Sequence, residues 1–170
     1  MVNRNQLWAS VFISHFNKHF FRSEAKTFAV AAKTTGFVAS FSSSASVVNF
    51  FWFRSHQFVL MTFLLVAAIV SVLNTILDFK EKAAKAAAAA ATWTEVADEG
   101  DKLWWLQLNS EEEAEDVPEV KSKDVDKLLE RIRKTEAETI HWYERDSTRR
   151  AAQRDAEEEL QSLFPPRSAS

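Results

Sequence analysis

His15 and His19 are the pair of side chains whose types and spacing come nearest to chemistry in this sequence. They stand one helical turn apart, the i, i+4 spacing that a pair of metal-binding imidazoles uses. No carboxylate or third ligand lies near them in the sequence, so the expected state is a solvated or interfacial histidine pair rather than a metal site. Glu136, Glu138 and His141 form a second cluster, close enough on one helix for acid/base or metal work, but highly charged helices contain such triplets by chance. The chain has no glycine-rich phosphate loop, no nucleophile elbow and no zincin pattern, and its two glycines are isolated. It also has no cysteine, which excludes disulfides, thiolate catalysis and cysteine-based zinc sites. The expectation is a protein that is not an enzyme, with no catalytic residue, cofactor or metal.

The elements that would carry these residues are helical. Glycine and proline number only 2 and 3 in 170 residues, and alanine, glutamate, lysine and leucine are abundant. A formal charge of −3 argues against general nucleic-acid binding. The apolar residues are concentrated rather than spread. From Thr34 to Leu77, Arg54 is the only residue with a permanent charge, and the stretch is long enough for two membrane-crossing helices of roughly 20 residues each.

This stretch reads as a helical hairpin that turns near Arg54-Ser55-His56-Gln57. Val59 to Leu77 is rich in leucine, isoleucine and valine and carries no charge. Thr34 to Phe53 is diluted by Ser40, Ser42, Ser43, Ser44, Ser46 and Asn49, and it needs a packing partner in order to span. Ser42, Ser46 and Asn49 share one helix face, and Ala67, Ser71 and Asn74 form a matching stripe on the second arm. Small and hydroxyl side chains allow close helix approach in lipid. These six are the helix-packing or pore-facing candidates: they either pack the arms or subunits together or line a polar path through an oligomer.

Around the hairpin, the expected fold class is an all-α membrane protein. A two-helix transmembrane hairpin (34–77) is preceded by an N-terminal amphipathic helical segment (1–33) and followed by long cytoplasmic helices. Leu7, Trp8, Val11, Phe12, His15, Phe16, His19 and Phe20 recur at helical spacing and suit a membrane interface. Residues 78–108 read as a helical stalk that leaves the second arm without a hinge, through the alanine-rich region Ala83 to Ala91. Trp93, Val96, Leu103, Trp104 and Leu106 mark its buried side, and Gly100 is a point where it could bend. An acidic loop (109–121) leads to a cytoplasmic helix (122–164) capped by Ser122 or Asp124, and a disordered tail (165–170) follows Pro165. Arg145 to Glu159 reads as a salt-laced, exposed part of that helix. Basic residues crowd the segments before and after the hairpin, at Arg22, Lys26 and Lys33 and at Lys80, Lys82 and Lys85, whereas the turn has only Arg54, so both termini are expected to be cytoplasmic.

A basic-aromatic leading helix, a membrane hairpin, the stalk opening Leu73-Asn74-Thr75-Ile76-Leu77-Asp78-Phe79 and the later helix Leu128-Leu129-Glu130-Arg131-Ile132-Arg133-Lys134-Thr135-Glu136-Ala137-Glu138 occur in this order. Over roughly Phe20 to Asp146, the chain resembles the SLATT family of bacterial two-transmembrane proteins. The alanine run stands where that family commonly carries His and Tyr. The resemblance implies a multi-pass protein of the inner (cytoplasmic) bacterial membrane, an effector that forms pores or perturbs the bilayer, with no enzymatic residues. Its partners are then the lipid bilayer and copies of itself, with no nucleic acid. The competing expectation is a structural accessory subunit of a larger membrane complex, motivated by Phe50, Phe51, Trp52, Trp104 and Trp105.

Overall fold

The computed structural model describes residues 4–52, 57–110, 120–139 and 146–165. Within the helices, the side chains at 42–52, 57, 59–60, 63–64, 74–76 and 110 lie outside that description. The protein is all-α, with five helices and no strand among the described residues: α1 (Arg4–Trp52), α2 (Gln57–Leu77), α3 (Phe79–Ser110), α4 (Ser122–Glu138) and α5 (Asp146–Leu163). The chain divides into two compact units. One is built from Met1–Glu24 and Ala86–Ser170, the other from Ala25–Lys85.

Helix α1 continues for 49 residues because nothing in it stops a helix. Proline is absent, and hydroxyl side chains bond back to the preceding turn instead of competing with it. Ser10 Oγ donates to Gln6 O at 2.8 Å, Ser14 Oγ to Ser10 O at 2.8 Å, and Thr35 Oγ1 to Ala31 O at 2.9 Å. The expected boundary near residue 33 is therefore not a helix boundary. The N-terminal apolar stripe is not left for a membrane interface either, because Leu7, Val11, Phe20 and Phe21 are buried inside the first unit. Protein side chains cover that face, which removes the need for a lipid surface there.

Four segments supply this unit's core. Trp93, Val96 and Trp104 come from α3, and Val125, Leu128 and Ile132 repeat at helical spacing on α4. On α5, Ala152, Ala156 and Leu160 form a stripe of mostly small residues that admits close approach. The alanine run of α3 packs rather than acting as a spacer, since Ala86 is fully buried and Ala89 and Ala90 lie against the core. Gly100 does not interrupt α3. It lets α1 come close, because a Cβ there would meet Val11 Cγ2 at 3.2 Å and Leu128 Cδ2 at 3.7 Å. At one end of the unit, Trp8 and Trp104 pack at 4.9 Å between ring centroids, and Phe164 lies 5.7 Å from Trp105. Arg131 joins α4 to α3 through Glu99 at 2.6 Å and Glu95 at 2.8 Å. All three groups are substantially exposed, so solvent screening leaves this pairing a small contribution.

Three further expectations are corrected. The stalk does not continue the second arm without a break. Asp78 separates α2 from α3 with φ 37°, a left-handed conformation that aspartate tolerates better than most residues. Its carboxylate accepts the Glu81 N–H at 3.1 Å, capping the new helix. The cytoplasmic helix 122–164 is two helices, because Thr139 turns extended at φ −94°, ψ 124° and α5 begins only at Asp146. Ile140, His141, Trp142 and Tyr143 lie outside the described residues. Finally, the cap position of α4 is Lys121, with no side-chain hydrogen bond, rather than Ser122 or Asp124. The turn Arg54-Ser55-His56, most of the acidic loop (111–119) and the tail 166–170 also lie outside the described residues.

In the second unit, α2 presents Phe58, Met61, Leu65, Val66, Ile69, Val72 and Leu73 to the surface, and α1 presents Val30, Phe37 and Phe41. Among the described residues, no helix is long and apolar enough to cross a membrane; seven apolar or polar side chains within Val59–Ile76 fall outside that description.

The close approach at Gly100 makes a testable demand. Gly100→Leu should overpack the α1–α3–α4 junction and destabilise the first unit by about 1–3 kcal/mol, read as a lower urea midpoint by far-UV circular dichroism.

Candidate functional site

The first unit buries a polar cluster where α1, α3 and α5 meet. His15 is 1% exposed, an unusual place for an imidazole without partners. Its Nε2 lies 3.0 Å from Asp101 Oδ1 on α3, and its Nδ1 lies 3.1 Å from Glu159 Oε2 on α5. His19 Nε2 reaches the same Glu159 oxygen at 2.6 Å, while Lys18 Nζ donates to Glu159 Oε1 at 2.7 Å. Helical spacing explains the convergence. Residues 15, 18 and 19 lie on one face of α1, so a single carboxylate from α5 meets all three.

The expectation of a solvated or interfacial histidine pair is thus overturned. The carboxylates it lacked in sequence come from residues 86 and 144 positions away from His15. Asp101 carried no distinguishing sequence signal. Glu159 carried none either, since it stands beside Glu157 and Glu158 on a charged helix.

Charge in the cluster is balanced by contact. Burial of His15 draws its pKa down, but the hydrogen bond and charge of Asp101, with Glu159 behind them, prevail and hold it above the ordinary 6.5. For Glu159, partial burial alone would raise the pKa. Hydrogen bonds from Lys18, His19 and His15 outweigh that effect and lower it from 4.5 to about 2. Since carboxylates accept and do not donate, an imidazolium at residue 15 donates to both helices at once.

The other candidates are placed differently. Ala67 is half-buried and Ser71 exposed, whereas the side chains of Ser42, Ser46, Asn49 and Asn74 lie outside the described residues. Glu136 and Glu138 are exposed near the end of α4, and His141 lies beyond the described part. A groove of about 490 Å³ lined by Trp8, Phe12, Glu157, Leu160, Gln161 and Phe164 is largely apolar and holds no set of convergent polar groups. Comparison of the chain with protein-family models, curated proteins and solved structures finds no match.

The two shifts give stability a pH window. The raised His15 pKa contributes stability that is complete below 6.5 and lost as pH rises through the folded value. The lowered Glu159 pKa contributes stability that is complete above 4.5 and lost as pH falls towards about 2. With chelator present, the urea midpoint should decline as pH rises above 6.5, and Asp101→Asn should flatten that decline. A wild-type midpoint constant across the alkaline side would show that His15 is not held protonated.

Proposed function

We propose that the protein is a non-enzymatic, two-crossing membrane protein that acts as an oligomeric membrane effector, with the hairpin 34–77 in the bilayer. The observation that carries this reading is the apolar surface of α2. Seven large apolar side chains, from Phe58 to Leu73, stand between 42% and 86% exposed, although the first unit already possesses a closed core of its own. A continuous surface of that kind in water drives association, and lipid or other apolar helices are what satisfy it. Read in full, the 21 residues of α2 contain no acidic, basic or histidine side chain, and their length matches a hydrocarbon core of ~30 Å.

Connectivity supports an even number of crossings. Glu24 and Ala86 belong to the same compact unit, so a chain that enters the bilayer between them also returns to the side it left. The flanking Arg22, Lys26, Lys33, Lys80, Lys82 and Lys85 favour the cytoplasmic side for that unit. On this reading, Ser42, Ser46 and Asn49 face Ala67, Ser71 and Asn74 between arms or subunits, and the resemblance to SLATT proteins supplies the effector role. The accessory-subunit alternative keeps one observation, the half-exposed Trp105, and loses another, since Trp104 is buried.

The protein should remain in the membrane pellet after alkaline carbonate washing. Ile69→Arg, which places a charge at mid-helix at a cost of about 2.5–3.5 kcal/mol, should shift it towards the supernatant. Reconstituted wild-type protein should release trapped dye from liposomes and sediment as a homo-oligomer in nanodiscs. Stoichiometric co-purification of foreign membrane subunits with inert liposomes would instead establish the accessory reading.

A further inference from the structure

We infer that His15, His19 and Glu159 form a binding site for a divalent transition metal of the zinc class, which joins α1 to α5. One ligand atom from each of the three residues lies within 4.8 Å of the other two. Two imidazole nitrogens and one carboxylate oxygen are a common donor set for such ions, leaving a fourth position for water. In a tetrahedral site with bonds of about 2.0–2.1 Å, ligand atoms stand about 3.3 Å apart. Glu159 Oε2 lies 3.1 Å from His15 Nδ1 and 2.6 Å from His19 Nε2, so a rotation of the flexible glutamate side chain opens the centre.

The surroundings point the same way. Asp101 occupies His15 Nε2 at 3.0 Å and fixes the ring, as carboxylates do behind metal-bound histidines, so that Nδ1, which has Lys18 Nζ at 3.5 Å beside it, is the nitrogen turned to the ion. Lys18 binds the other oxygen of Glu159 at 2.7 Å, which leaves Oε2 as the ligand. Two carboxylates against one ammonium give the site a net negative charge when the imidazoles are neutral. The ion takes the lone pair of Nδ1, and any proton there passes to solvent. The site lies wholly within the first unit and does not depend on the membrane reading.

The test uses the tag-free, full-length chain in detergent, stripped with chelator, titrated with Zn²⁺ by calorimetry and with Co²⁺ by visible absorption. The expected result is one ion per chain, with the intense Co²⁺ bands of four-coordination. Asp101→Asn should weaken binding by about 10- to 100-fold. His19→Gln and Glu159→Gln should weaken it further, while the double variant His56→Gln/His141→Gln leaves it unchanged. His19 is chosen because it is only half-buried, so its loss threatens the fold less than loss of His15, and an unchanged circular dichroism spectrum checks this. Failure of the wild type to take up one ion, or wild-type affinity in His19→Gln and Glu159→Gln, overturns the site.

Discussion

The first unit depends on one constraint: the opening turns of α1 must enter the same core as α3, α4 and α5, from which the sequence separates them. Leu7, Val11, Phe20 and Phe21 enter the same core as Trp93, Leu128 and Leu160, and His15 binds α3 and α5 through its two ring nitrogens. Apolar burial supplies most of the attraction but little direction. The buried imidazole, with a carboxylate on each side, sets the register. A slip of α1 by one residue would bury a different side chain opposite Asp101 and take from both carboxylates the imidazole they share, which is costly away from water.

The two units solve opposite solvation problems. In the first, apolar residues turn inward and pairs such as Arg131 with Glu95 and Glu99 stay substantially exposed. In the second, α2 turns Phe58, Met61 and Ile69 outward. That inversion is the observation on which the proposed membrane placement rests, and Asp78 breaks the helix before the second unit ends at Lys85. A left-handed residue there allows α3 to start anew, with its own cap and its own buried face, rather than inheriting the rotation of α2.

Much of the architecture was legible because it is written at short range. The all-helical class follows from the scarcity of glycine and proline, and the apolar side of α3 from the spacing of Trp93, Val96 and Trp104. What failed depended on tertiary partners. The stripe from Leu7 to Phe20 has the same periodicity whether lipid or protein covers it, so its burial could not be read from spacing. The cluster around His15 was hidden for the same reason, because Asp101 and Glu159 look like any other acidic residues on charged helices until the fold brings them together. The breaks at Asp78 and Thr139 were missed because neither is a proline or glycine, and each depends on local geometry that propensity does not encode.

The unit assembled from both ends of the chain also dictates an order of events during synthesis. His15 leaves the ribosome 144 residues before Glu159, and everything from Ala25 to Lys85 emerges in between. The leading helix must therefore wait, its phenylalanines uncovered, while the greasy middle of the polypeptide finds its own environment. Only then does the trailing half arrive to enclose it. Truncation late in translation thus leaves a product whose beginning, not merely its end, is unfinished.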